Sequence, residues 1–187
     1  LSNDHVIQRG DFLAIDWGIG YLNFYTDMKR HAYVLKDGET HLPRSIQKAF
    51  DNGRAVRDIL KKNIKAGRTA GETYTLLNSK INAAGFTIME NFNQPTDDPN
   101  NVDVIIGCHS VGNLGHGIGP SIAWFNPERM KYIIQPTNMF SIELFAYTAI
   151  PEWGNKKLRI PLEDDAIVTE RGVEWLYPVN QKVLLIR

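Results

Sequence analysis

The hydrophobic period of this chain changes twice along its length, and that change limits its architecture more than any other feature. Across residues 43–65 the apolar positions Ile46, Ala49, Phe50, Val56, Ile59, Leu60 and Ile64 fall mostly three or four apart. That is the spacing of one buried helix face. Pro43 suits the start of the helix and Gly67 its stop. Gly53 lies inside the run, where it costs about 1 kcal/mol against Ala, and implies a kink or a close packing contact. A second helix is predicted directly afterwards. Thr69-Ala70-Gly71-Glu72 has the form of a capping box, Tyr74, Leu77 and Ile81 share a face, and Gly85 is placed to end it.

On both sides of this helical pair the pattern is that of strands. Phe12-Leu13-Ala14-Ile15-Asp16-Trp17 is an apolar run closed by Gly18 and Gly20, and residues 21–25 resume an aromatic, β-favouring pattern. An antiparallel hairpin is predicted there. Residues 31–35 continue as strand until Lys36-Asp37-Gly38-Glu39 supplies a turn, and residues 91–101 form a polar loop around Pro95 and Pro99. Later strands are predicted at residues 104–107, 122–125, 139–147, 158–160 with 166–169, and 183–186. Hairpin, two helices, then strands argue for one α+β domain over residues 1–187, with the helices on one face of a largely antiparallel sheet.

The composition fits such a domain. Of 187 residues 43% are hydrophobic, and the 21 basic and 21 acidic side chains cancel, which removes disordered and coiled-coil classes. Zero formal charge gives no electrostatic reason to expect nucleic acid or an anionic membrane as partner. No apolar run approaches the ~20 residues needed to span a bilayer, so a soluble chain is expected. Cys108 is the single cysteine, so an internal disulfide is impossible. The chain begins Leu1-Ser2-Asn3-Asp4, with neither an initiator Met nor a signal-peptide pattern, and is expected to be a fragment or processed form of a longer protein. Its compartment is not legible.

The chemistry lies in charged residues set within apolar runs, because a buried charge is costly unless paired or bound to metal. Five positions stand out. Asp16 follows Leu13-Ala14-Ile15, Asp27 follows the aromatic segment, and His116 sits in Gly115-His116-Gly117-Ile118-Gly119. Glu143 lies in Phe140-Ser141-Ile142-Glu143-Leu144, and Glu163 closes Ile160-Pro161-Leu162-Glu163. Asp16 and Asp27 are eleven positions apart across the hairpin and can meet on adjacent strands. Gathered together, the four carboxylates would repel unless neutralised. Two divalent cations would do so, and oxygen-rich ligation with one nitrogen suits Mn²⁺, Co²⁺, Fe²⁺ or Zn²⁺. Taken singly, each residue also has a plain reading: the aspartates as turn or salt-bridge residues, the glutamates as edge-strand charges, the glycines as loop punctuation.

The ordered set resembles a known family. Asp16-Trp17-Gly18, Thr26-Asp27-Met28-Lys29-Arg30, Gly115-His116-Gly117-Ile118-Gly119, Met139-Phe140-Ser141-Ile142-Glu143 and Leu162-Glu163-Asp164-Asp165 with Val168-Thr169 are similar to the ligand signature of the pita-bread metallopeptidases. Methionine aminopeptidases, Xaa-Pro aminopeptidases and prolidases belong there, and the Glu163-Asp164-Asp165 context resembles the Xaa-Pro branch more closely. The resemblance implies Asp16 as terminal ligand to one metal, His116 and Glu143 as ligands to the other, and Asp27 and Glu163 as bridges. It implies removal of an N-terminal residue from a peptide substrate by a hydroxide held between the cations, with Glu143 moving a proton to the leaving amine.

Some positions depart from the pattern. The substrate-binding histidine common seven residues after the ligand histidine is Ala123 here, and the one four residues before it is Gly112. His109 is the candidate substitute, as a catalytic donor to substrate or oxyanion, with a structural histidine beside Cys108 as the alternative. Leu144 stands where many relatives have proline, and the family's upstream active-site histidine would precede Leu1. An incomplete scaffold implies exposed apolar surface, and hence a homodimer or association with the missing N-terminal segment. Two functions remain open: a dinuclear exopeptidase of Xaa-Pro type, or a peptide- or protein-binding module on the same fold with impaired catalysis.

Overall fold

The computed structural model describes residues 6–112 and 116–187, so Leu1–Asp4 and the Gly115 of the glycine-histidine motif lie outside the described residues. The chain runs β1 (Phe12–Trp17), β2 (Gly20–Tyr21), β3 (Phe24–Tyr25), β4 (Met28–Val34), α1 (Arg44–Asn63), α2 (Ala70–Ala83), β5 (Thr87–Ile88), β6 (Asp103–Ile106), β7 (Cys108–Ser110), β8 (Ser121–Ile122), β9 (Met139–Ile150), β10 (Lys156–Thr169), β11 (Gly172–Trp175) and β12 (Leu184–Ile186). Both predicted helices form close to their predicted limits.

Helix α1 buries Ile46, Ala49, Phe50, Val56 and Leu60, the periodic positions read from the sequence. Gly53 is explained by close packing. A Cβ there would lie 3.1 Å from Leu162 and 3.2 Å from Ile160, side chains of the strand beneath. Helix α2 starts with a complete capping box: Thr69 Oγ1 accepts from the Glu72 amide at 3.1 Å, and Glu72 accepts from the Thr69 amide at 2.9 Å. Gly85, at φ +87°, takes the left-handed conformation that ends it.

The larger sheet has the order β11-β10-β9-β6-β5, with β7 continuing along β9 in the register of β6 and pairing β8 on its other side. The long β9–β10 ladder, from Lys156↔Ile150 to Ile167↔Met139, is its spine. Buried Phe140, Ile142, Leu144, Ile160, Leu162 and Ala166 join the helix residues in one core. A smaller sheet has the order β1-β4-β12. Pairing is antiparallel except between β5 and β6 and between β12 and β4, as expected for a largely antiparallel α+β fold.

Two sequence expectations need correction. The arms of the first hairpin are β1 and β4, paired from Phe12↔Tyr33 to Trp17↔Met28, and the aromatic segment is only its tip. Leu22 and Asn23 both take positive φ, which turns β2 back onto β3 within two residues. Glu163 does not close a strand either. Residues 156–169 form one strand through Glu163-Asp164-Asp165, because all three carboxylates find partners in the interior. Among the described residues no helix is long and apolar enough to cross a membrane.

Candidate metal centre

The site sits where the two sheets meet. Glu143 on β9 and Glu163 on β10 are direct cross-strand partners, on central strands and not on an edge. On the other side of Glu143 runs Gly107, whose amide donates to the Glu143 carbonyl at 3.1 Å. A Cβ at Gly107 would stand 2.9 Å from Glu143 Oε2, so the glycine leaves the room in which that carboxylate turns inward. His109, two residues further along the strand, pairs with Ser141, and Ser141 Oγ donates to Glu163.

From the smaller sheet come Asp16 and Lys29, cross-strand partners on β1 and β4. Asp27 immediately precedes β4, and its amide donates to Asp165 Oδ2 at 3.1 Å. The glycine-flanked loop delivers His116, whose Nε2 lies 3.3 Å from Asp27 Oδ2 and whose ring meets that of His109 edge-on at 4.6 Å. Gly117, at φ +53°, passes so close to Ser110 that a Cβ would fall 2.7 Å from its carbonyl oxygen. Close approach, not loop punctuation, requires that glycine. Arg129 ties the loop down, donating to Ser110 Oγ and the Gly119 carbonyl at 2.8 Å and to the His116 carbonyl at 3.1 Å.

Asp16, Asp27, His116, Glu143 and Glu163 thus line one cavity of about 250 Å³, together with Lys29, His109 and Phe125. Possible ligand atoms of Asp16, Asp27 and Glu163 lie within 4.8 Å of one another. The same holds for His109, Glu143 and Glu163, and for Asp27, His109 and His116. All five expected ligands enter such groups, and His109 enters two. Its Nε2 is 3.5 Å from Glu163, 3.7 Å from Asp27 and 3.8 Å from Glu143. A donor set of four carboxylates and two imidazoles suits a borderline divalent transition metal.

Electrostatics mark the pocket as short of positive charge. Burial, then the negative Glu163, raises the Asp27 carboxyl, and the same two causes raise Glu143. Glu163 is pushed up by burial but held lower overall by His109, Lys29 and Ser141. Burial lowers the His109 imidazole, yet Glu163 and Glu143 outweigh it and the net direction is up. Behind the site, burial raises Asp165 to about 7 against the hydrogen bonds from the Asp27 amide and Tyr177. Perturbed groups clustered in a cleft are what a functional site produces.

Sequence reasoning missed Lys29, Ser141 and Arg129. Ser141 had a signal: it is two residues from Glu143 on one predicted strand and so shares its face. Arg129, outside any periodic segment, had none. Ala123 is fully buried, and the ring of the neighbouring Trp124 lies tilted against Phe92 and edge-on to Phe125, which lines the cavity.

Comparison with known proteins agrees with this geometry. Residues 2–170 match Metallopeptidase family M24. The uncharacterized peptidase YqhT of Bacillus subtilis is 25% identical over 175 residues, covering 92% of this chain and 40% of that protein. An Xaa-Pro dipeptidase of Pyrococcus furiosus is 24% identical over 191 residues, covering 98% of this chain and 44% of the relative. The X-Pro aminopeptidase of Thermotoga maritima superposes with a TM-score of 0.69 at 21% identity, over 98% of this chain and 44% of that one. The chain therefore spans less than half the length of these relatives, and its fold is the pita-bread fold expected from the sequence. With a family match over residues 2–170, the chain belongs to Metallopeptidase family M24.

Proposed function

We propose that this chain carries the catalytic centre of a dinuclear metal-dependent exopeptidase that removes the N-terminal residue from peptides with proline in second position. The carrying observation is the convergence of Asp16, Asp27, His116, Glu143 and Glu163 from separate strands and a loop onto one cavity. In this reading Asp16 would hold one divalent ion, His116 and Glu143 would hold the other, and Asp27 and Glu163 would serve both. Bound ions there supply a nucleophilic water at neutral pH and polarise the scissile carbonyl. The chain's own residues do the rest. Glu143, whose carboxyl is raised by burial and by Glu163, is suited to hold a proton and give it to the leaving amine. His109, held within the carboxylate cluster with Nε2 3.5 Å from Glu163, would donate to substrate or oxyanion, the role for which Ala123 and Gly112 have no side-chain donor.

Exposed Ile15, Trp17, Ile19 and Tyr21, with Leu184 and Ile186 on β12, favour the association expected of the chain, as a homodimer or with a segment outside it. Light scattering that finds only monomer at micromolar concentration would remove that part. The peptidase reading is tested by release of the first residue from an Xaa-Pro dipeptide with Mn²⁺, with a chelator, and in Glu143→Gln. Mn²⁺-dependent release that is lost in the variant supports it. A second reading, a peptide-binding module with impaired catalysis, is favoured by the altered histidine positions and gains support if the dipeptide binds without turnover in the presence of Mn²⁺.

A further inference from the structure

A second cavity, of about 510 Å³, lies between the start of α1, the end of β9 and the loop around Pro99. Thr148 lines it and is five residues beyond Glu143 on β9, which places it about 17 Å along an extended strand from the metal centre. Arg44, Ser45 and Lys48 line it from α1, and among the described residues no carboxylate does. Glu152, next in sequence to the lining Pro151, stays outside it.

The side chains here are rich in donors that lack an acceptor. Arg44 and Lys48, exposed and one helical turn apart, make no ion pair among the described residues, and Asp51 on the next turn is held instead by Gln47 and Arg54. The Ser45 hydroxyl oxygen is buried without a hydrogen-bond partner. Thr148, only 6% exposed, accepts from Asn52 Nδ2 at 3.0 Å, and its own hydroxyl proton finds no acceptor among the described residues. Main-chain donors add to these. The first bond of α1 runs from the Gln47 amide to the Pro43 carbonyl, so the amides of Arg44, Ser45 and Ile46 precede the helical ladder. No side chain caps this end, and its first turn carries no acid.

We propose that this cavity binds a phosphoryl group, as the free ion or as the ester of a small phosphorylated molecule. Near neutral pH phosphate offers at least three acceptor oxygens in a tetrahedral array and about two negative charges. That matches two cations, two hydroxyl protons and a helix start brought together from separate elements. A carboxylate presents two coplanar oxygens and one charge, and leaves part of this donor set unmet. The apolar lining of Val102, Ala149 and Pro151 lowers the local dielectric and strengthens each of these bonds.

The test is binding of inorganic phosphate, glycerol phosphate and acetate to the full chain, by calorimetry at low ionic strength. One equivalent of either phosphate should bind saturably, about tenfold or more tighter than acetate. Arg44→Met and Lys48→Met should each weaken phosphate about tenfold, and Ser45→Ala about threefold. Lys62→Met removes the same charge from the other end of α1 and should leave the affinity within about twofold. Glycerol phosphate binding more tightly than the ion supports the proposal and identifies an ester as the ligand; glycerol phosphate binding no more tightly supports it and identifies the free ion. A folded wild type without saturable phosphate binding would overturn the proposal. So would acetate binding equally well, or Lys62→Met weakening phosphate as much as Lys48→Met. None of these outcomes depends on the metal centre.

Discussion

Two neighbouring residues of β10 hold buried carboxylates on opposite faces of the strand, and their surroundings differ in one respect. Asp164 is fully buried and is matched by the chain itself: Arg30 Nη1 at 2.9 Å, Arg57 Nη1 at 3.2 Å, and the Asn180 amide at 3.3 Å. Arg57 in turn donates to the Asn180 carbonyl at 2.7 Å. Glu163, 1% exposed, belongs to a group of four carboxylates facing a single ammonium. Two guanidiniums for one carboxylate make a closed structural network. One ammonium for four carboxylates makes a site with a deficit of positive charge, held together by the rest of the fold until a cation arrives. Burial of charge alone therefore does not separate architecture from function; the balance of charge around it does.

The largest expected effect is on the Asp164 side. Arg57→Met should cost about 3–5 kcal/mol of stability, since it leaves a fully buried carboxylate short of a partner. Urea unfolding that shows less than about 1 kcal/mol would erase the contrast between the two faces. His31, buried near Phe12 and Phe50 with Nδ1 2.8 Å from Asn180 Nδ2, gives the next effect. Burial, aided by nearby Arg30 and Lys29, lowers its pKa to about 4 from an ordinary 6.5. Between these values the unfolded chain binds the extra proton, so this contribution is complete above pH 6.5 and is lost as the pH falls toward 4. It amounts to about 3 kcal/mol at most. His31→Gln should flatten that part of the acid dependence in pH-resolved melts, and an unchanged acid slope would contradict the assignment.

On the Glu163 side the effect on stability should be smaller. Glu163→Gln removes a charge from a repelling group, so the metal-free variant should melt within a few degrees of wild type while losing Mn²⁺ affinity on the order of a hundredfold. If it unfolds instead, the cluster is structural like Asp164. Smallest is Thr69→Ala, which removes the capping-box acceptor of α2 and should cost about 1 kcal/mol without altering metal affinity. It calibrates a local loss of stability remote from both charged faces.

The parts of the fold legible in the sequence were those written in local pattern. The period of residues 43–65 and the capping box at Thr69 define helices that formed as read, because each depends on neighbours three or four positions away. The hairpin was misread in its second arm because Leu22 and Asn23 carry no glycine to announce a left-handed turn. Strand β10 was split because three consecutive acids look like an interruption until Lys29, Arg30, Arg57 and the Asp27 amide are brought to them from distant segments. Its five acidic and histidine ligand candidates were visible as charges in apolar runs. Lys29 was hidden by its type: a lysine on a strand reads as a solvated edge until its partners are known.

The central claim is that this cavity is a divalent-cation centre. Its most direct test is anomalous diffraction from crystals of the full chain grown with Mn²⁺. The account predicts a manganese peak among Asp27, His109, His116, Glu143 and Glu163, and none near Asp164. A map at saturating Mn²⁺ without density in the cavity, with Lys29 still bound to Glu143 and Glu163, would contradict it.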